Sequence, residues 1–284
     1  MIENNVLYNF TKEHTPQSFR NYMRFTARSL VDVYAGFRGL NPNRALPGFL
    51  IVGAQKAGTT SLFNWLVDTG IAEAPLHKEV GYFDTRWDWP IKYRGYFGLQ
   101  KSARLVGEAT PSYFAFPEVP ERVSSVLGPE CKIIIVLRDP VDRSVSHYFH
   151  ERRLGFEKRD MYTAMIEEES LIDEAFDTRT SSLRRRHILT HNSYVDRSMY
   201  SERLKPWFEH FDRENILIIK SEDMFNNPHS TVNSVAEFVG EKANIATQYS
   251  ARNTNSYVFE DSRVAAYLKK SLSAESAKFK DWTY

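Results

Sequence analysis

The 284-residue sequence holds a single cysteine, Cys131, which excludes an internal disulfide and any zinc module built from several thiolates. Long apolar runs are missing too. The longest, residues 49–52 and 133–137, are far below the roughly 20 residues a membrane-spanning helix needs. Neither sign of charge dominates. With 37 lysines and arginines against 36 aspartates and glutamates, no global field marks a nucleic-acid binder, and any anion site must be local. No internal repeat or low-complexity tract is present, which removes solenoids and propellers. The opening residues MIENNVLYNFTKEH carry acid and amide groups where a signal peptide has a basic start and an apolar stretch. The expectation is a soluble, cytoplasmic chain in a reducing compartment.

What is present reads as one large α/β domain over residues 1–284, with 42% hydrophobic and 26% charged residues. Apolar positions at Phe19, Tyr22, Phe25, Leu30, Val33 and Phe37 predict an N-terminal helical extension over 1–46, stopping near Gly39 and Pro42. Short apolar runs at 49–52, 105–106, 133–137 and 216–219 suit strands buried on both faces, with a weaker one at 71–76. Helical patterns fall at about 59–69, 119–127, 140–154, 160–176, 199–211, 229–239 and 261–272. The alternation predicts a P-loop-like, three-layer α/β fold, a central parallel sheet flanked by helices. The charged, strand-poor stretch 155–198 reads as a helical insertion over the active edge of the sheet.

Four candidate strands run straight into polar or glycine-rich residues. The first is followed by Gly53 to Thr60, the weak one by His77, Lys78 and Glu79, the third by Glu108, the fourth by Arg138 and Asp139. Ligands of open parallel sheets bind beyond the carboxyl ends of the strands, so these segments should meet in one crevice. Gly53 to Gly58 has the G-x-x-x-x-G spacing of a phosphate loop between strand and helix, with Thr59, Thr60 and Ser61 adding hydroxyls in the first turn. A nucleotide hydrolase carries lysine directly after the second glycine; here that place is Thr59, and the lysine lies inside the loop as Lys56.

The segment 49–62, FLIVGAQKAGTTSL, resembles the 5′-phosphosulfate loop of sulfotransferases that use 3′-phosphoadenosine 5′-phosphosulfate. Residues 133–148, IIIVLRDPVDRSVSHY, resemble that family's 3′-phosphate motif, an arginine at a strand end and a serine eight residues later, here Arg138 and Ser146. HKEVGYFD at 77–84, GEATPSY at 107–113, and the helix bearing Tyr200, Leu204 and Trp207 are similar to segments of the heparan sulfate branch.

The resemblance implies a sulfotransferase that uses this donor as co-substrate without a metal and modifies a hydroxyl or amine of a carbohydrate-like acceptor. It implies donor contacts from Gln55, Lys56, Ala57, Gly58, Thr59, Thr60, Ser61, Arg138 and Ser146. Arg252, with Asn253, is the candidate to close over the 3′-phosphate. It implies catalysis by Glu79 as base, with His77 the alternative, and Lys56 stabilising the leaving group. Lys78, Glu108 and Tyr113 are implied at the acceptor. Two departures stand out: Ala109 replaces a lysine common in the branch, and the basic C-terminal loop of many relatives is not evident. Golgi members carry a membrane anchor, and the expectation here is a chain without one.

Other readings stay open at this point. The acceptor can be a small alcohol, a phenol or a lipid, and a kinase-like protein using ATP and magnesium or a non-catalytic nucleotide scaffold are the rivals from other classes. His147 and His150 read as packing residues rather than a metal pair, for want of a third ligand. Arg184, Arg185 and Arg186 read equally as a solvated helix face or an anion-receiving one. Trp87, Trp89 and Tyr93 read equally as a sugar platform or core.

Overall fold

Five short strands build the centre: β1 Phe49–Gly53, β2 Ala72–Glu73, β3 Leu105–Ala109, β4 Lys132–Leu137 and β5 Ile216–Lys220. The computed structural model describes residues 17–85, 89–100, 105–242, 249 and 261–281, with side chains from residue 28 onward. The sheet order is β2-β3-β1-β4-β5, every pair parallel. Each residue of β1 and all but the first of β4 are buried, because helices cover both faces of the sheet. Only β2 falls short of expectation, two paired residues where the sequence offers six.

From β1 the chain passes through α2 Thr59–Asp68 to β2 and β3 on one side, then through α4 Val119–Leu127 to β4 on the other. The order therefore reverses beside β1, and a crevice opens there at the carboxyl ends. Beyond β4 run α5 Pro140–Leu154, α6 Met161–Ile166, α7 Glu168–Phe176, α8 Ser182–His191 and α9 Tyr200–His210. After β5 come α10 Ser221–Asn226, α11 Pro228–Phe238 and α12 Ser262–Asp281. Val264, Leu268 and Leu272 of α12 pack on Val145 and Tyr148 of α5, fixing the helix that follows the second motif.

The N-terminal helix, α1 Gln17–Gly39, lies on α3 Pro90–Gly95. The two backbones touch: a Cβ on Gly39 would collide with the carbonyl of Ile91, and one on Gly95 with that of Ala35. This contact turns Ala35 inward and leaves Leu30, Val33 and Phe37 60–72% exposed, so those three apolar positions line the outer face of α1. The expected helix over 160–176 is broken at Glu167, between α6 and α7. Among the described residues no helix is long and apolar enough to cross a membrane.

Candidate active site

The loop after β1 is prepared for an anion. Gly58 caps α2 with a φ of 99° and no side chain caps the helix, so its first N–H groups point out of the loop. Lys56 lies in the left-handed region at φ 74°, unusual for a non-glycine residue. Burial, reinforced by the nearby Arg153 and Arg138, pulls its pKa down to about 8, with Glu151 and Glu79 opposing. Lys56, Arg138 and Glu79 thus share one local field. The oxygen of the Gln55 amide accepts from Arg197 Nη1 at 2.5 Å. Thr59 and Ser61 are buried and Thr60 is half-buried.

Arg138 follows β4 at the same sheet edge, since β1 and β4 pair up to Gly53 and Ile135. Its guanidinium makes a loose 3.4 Å contact with Asp142, a mostly exposed carboxylate. The N-terminus of α5 is already satisfied, because the Asp139 side chain accepts from Val141 N and Asp142 N at 2.9 and 3.1 Å. An anion beside α5 would meet side chains, Arg138 and the buried Ser146, rather than free helix N–H groups.

Glu79 is the second left-handed non-glycine, at φ 62°. Its backbone carbonyl and that of Val80 accept from Arg28 Nη2 at 3.1 and 2.9 Å, and its exposed carboxylate pairs with Lys78 at 2.8 Å. Beneath this turn Glu108 is fully buried and accepts hydroxyls from Tyr93 (2.5 Å), Thr110 (2.6 Å) and Tyr113 (2.7 Å). The Tyr113 oxygen in turn accepts from Tyr82 N at 2.9 Å. Burial holds the Glu108 carboxyl above its ordinary pKa, and the three donors offset part of that rise. The expectation that Glu108 and Tyr113 touch the acceptor is corrected: both are spent inside the protein, holding the segment that carries Glu79.

Glu79 and Gln55 line one cavity of about 390 Å³ with Arg28, Arg186, His187 and His191. His77 is not among its lining residues. Its Nδ1 donates to the Lys78 carbonyl at 2.9 Å, and its ring lies edge-on to Tyr96 behind the turn. Burial lowers the His77 pKa. The arginine triplet divides: Arg184 and Arg185 are paired with Glu174 and Glu118, whereas Arg186 reaches the cavity and is held by Asp84. Tyr93 is core, stacked on Tyr82 at 4.4 Å, and Trp89 is half exposed. His147 is buried against the Thr190 carbonyl and Glu151, and His150 Nδ1 accepts from Arg153. Arg252, Asn253 and Trp87 lie outside the described residues.

Sequence reasoning missed Arg28, on α1, and His187 and His191, on α8. The sequence of α8 reads SLRRRHILTH, and its charge run hides any apolar stripe. The usable signal was Ser181, whose side chain accepts from Arg184 N as an N-cap.

A family model described as a sulfotransferase domain matches residues 46–283. The chain is 29% identical over 211 residues to human heparan sulfate glucosamine 3-O-sulfotransferase 3B1, covering 73% of this chain and 49% of that protein. It is 29% identical over 209 residues to human bifunctional heparan sulfate N-deacetylase/N-sulfotransferase 2, covering 69% of this chain and 22% of that one. The chain thus spans half or less of these two relatives. A crystal structure of a sulfotransferase from Alicyclobacillus acidocaldarius superposes with a TM-score of 0.64 at 24% identity, over 83% of this chain and 96% of that one.

Proposed function

The chain belongs to the sulfotransferase domain family, and on that premise we propose that it transfers a sulfuryl group from 3′-phosphoadenosine 5′-phosphosulfate to a hydroxyl or amine of a carbohydrate-like acceptor. One observation carries the reading. A half-buried cationic loop with open helix N–H groups faces the same crevice as an exposed carboxylate.

In the proposed reaction the loop and Lys56 hold the 5′-phosphosulfate, and Arg138 with Ser146 holds the 3′-phosphate. The acceptor oxygen bonds to sulfur as the bond from sulfur to the bridging phosphate oxygen breaks. Glu79 takes the acceptor proton, and adenosine 3′,5′-bisphosphate leaves with the bridging electrons. Charge builds on that oxygen, where Lys56 and the N-terminus of α2 are aimed. The acceptor hydroxyl becomes acidic only as it bonds to sulfur, so a carboxylate nearby can serve as base.

The relatives named for heparan sulfate glucosamine support a carbohydrate acceptor, as does a polar cavity walled by arginine and histidine. The test is transfer of labelled sulfate to heparan sulfate oligosaccharides, neutral glycosides, 4-nitrophenol and small alcohols. Labelling of a saccharide is expected. Robust labelling of the phenol with none of any sugar would overturn the carbohydrate reading.

A further inference from the structure

The cavity wall facing Glu79 carries a group that the reaction above leaves unused. His191 closes α8 and lines the cavity. Its Nδ1 donates to Glu151 Oε2 at 2.8 Å, and its ring is stacked on Phe156, centroids 4.2 Å apart at 27°. Glu151 comes from the last turn of α5 and is 1% exposed. Burial works to raise its pKa, but hydrogen bonds from His147 and His191 prevail and hold it at about 2, so the carboxylate stays ionised.

His147 supplies the far end of this chain of groups. Its Nε2 faces two acceptors, the Thr190 carbonyl at 3.2 Å and Glu151 Oε1 at 3.4 Å, and so must carry the hydrogen. Its Nδ1 is then a bare lone pair, which accounts for the absence of a partner there. Burial lowers its pKa to about 3, so the ring is neutral.

His191 is placed by the same carboxylate. With Nδ1–H committed to Glu151, the nitrogen left for the cavity is Nε2, on a ring clamped by stacking and by a buried carboxylate. We infer that His191, oriented by Glu151, is a second acceptor-contacting residue, whose Nε2 hydrogen-bonds a hydroxyl neighbouring the one that Glu79 deprotonates. Glu151 acts as a positioning residue, and the acceptor class is a polyol that presents at least two hydroxyls to the cavity. This inference rests on reading the cavity as the acceptor site.

The experiment measures sulfate transfer and adenosine 3′,5′-bisphosphate binding in the full chain, with heparan sulfate oligosaccharide as first acceptor. His191→Ala is expected to raise the acceptor KM about tenfold, leaving kcat within about threefold and nucleotide Kd unchanged. His191→Gln, whose amide can replace Nε2 as hydrogen-bond partner, should recover part of the loss. Glu151→Leu should reproduce the rise in KM and add little on top of His191→Ala. Glu151→Gln keeps an oxygen for Nδ1–H and should stay near wild type, which covers the case where Glu151→Leu fails to fold. An acceptor KM within twofold of wild type in His191→Ala, with nucleotide binding intact, overturns the inference alone; so do fully additive Glu151 and His191 effects. If the wild-type chain labels only the neutral glycosides, the same variants are read on those; labelling only of the phenol or of an alcohol with one hydroxyl overturns the inference. A wild-type chain that labels no acceptor overturns this inference and the proposed function together.

Discussion

Two residues, Lys56 and Glu79, carry the proposed chemistry, and both adopt the left-handed backbone that non-glycine residues avoid at a cost of about 1–2 kcal/mol. Stability alone would favour glycine at either place. Lys56→Gly should therefore leave the melting temperature at or above wild type while weakening adenosine 3′,5′-bisphosphate binding at least tenfold, as read by calorimetry. The lysine also sets a pH dependence. Its pKa of about 8 in the free protein means that binding a nucleotide anion above that pH requires uptake of a proton. Nucleotide affinity should be flat near pH 7 and fall about tenfold per pH unit above 8. Stability of the unliganded fold moves the other way. The unfolded lysine keeps its proton to about 10.5, so this group's contribution to stability rises between 8 and 10.5. Glu79→Gln should cut turnover about a hundredfold or more with nucleotide Kd nearly unchanged, since the carboxylate belongs to the acceptor side. If Glu79→Gln keeps near-normal turnover and His77→Ala loses it, the assignment of the base is wrong.

Elements aim these residues, and the sequence revealed them unevenly. The strands β1, β4 and β5 stand out because short, continuous β-branched and aliphatic runs suit strands buried on both faces. The loop after β1 was legible from its glycine spacing, and Arg138 and Ser146 from their distance along a strand-to-helix turn. The acceptor wall was not. Its parts come from α1, the 77–84 turn and α8, elements distant in sequence and joined by contacts that no local pattern announces, such as Arg28 reaching the carbonyls of Glu79 and Val80. Glu108 misled for a related reason: a carboxylate at a strand end reads as a ligand until three hydroxyls are found around it. That cluster makes its own prediction. Tyr113→Phe removes one donor from a buried carboxylate and one acceptor from the backbone of the Glu79 turn, about 2 kcal/mol in all. The melting temperature should drop by roughly 5 °C and the acceptor KM should rise, with nucleotide Kd unchanged.

At the scale of the whole molecule, the parallel sheet reverses its strand order beside β1, and the loop after β1 shares its field with Arg138 after β4 and with Glu79. This arrangement serves any nucleotide that carries an anion at the loop, so the fold alone does not separate a sulfuryl donor from a nucleoside triphosphate. The separation lies in Lys56 within the loop, Thr59 where a hydrolase has lysine, and Arg138 with Ser146, proposed to hold a phosphate on the ribose 3′ oxygen. The measurement that tests this most directly is a thermal-shift and calorimetric comparison of adenosine 3′,5′-bisphosphate with ATP and magnesium on the same protein. At a hundredfold excess over its dissociation constant, the bisphosphate should bind one to one and stabilise the chain by about 2.7 kcal/mol, a shift of several degrees. ATP with magnesium should give little or none. Stabilisation by ATP with magnesium and none by the bisphosphate would contradict the account.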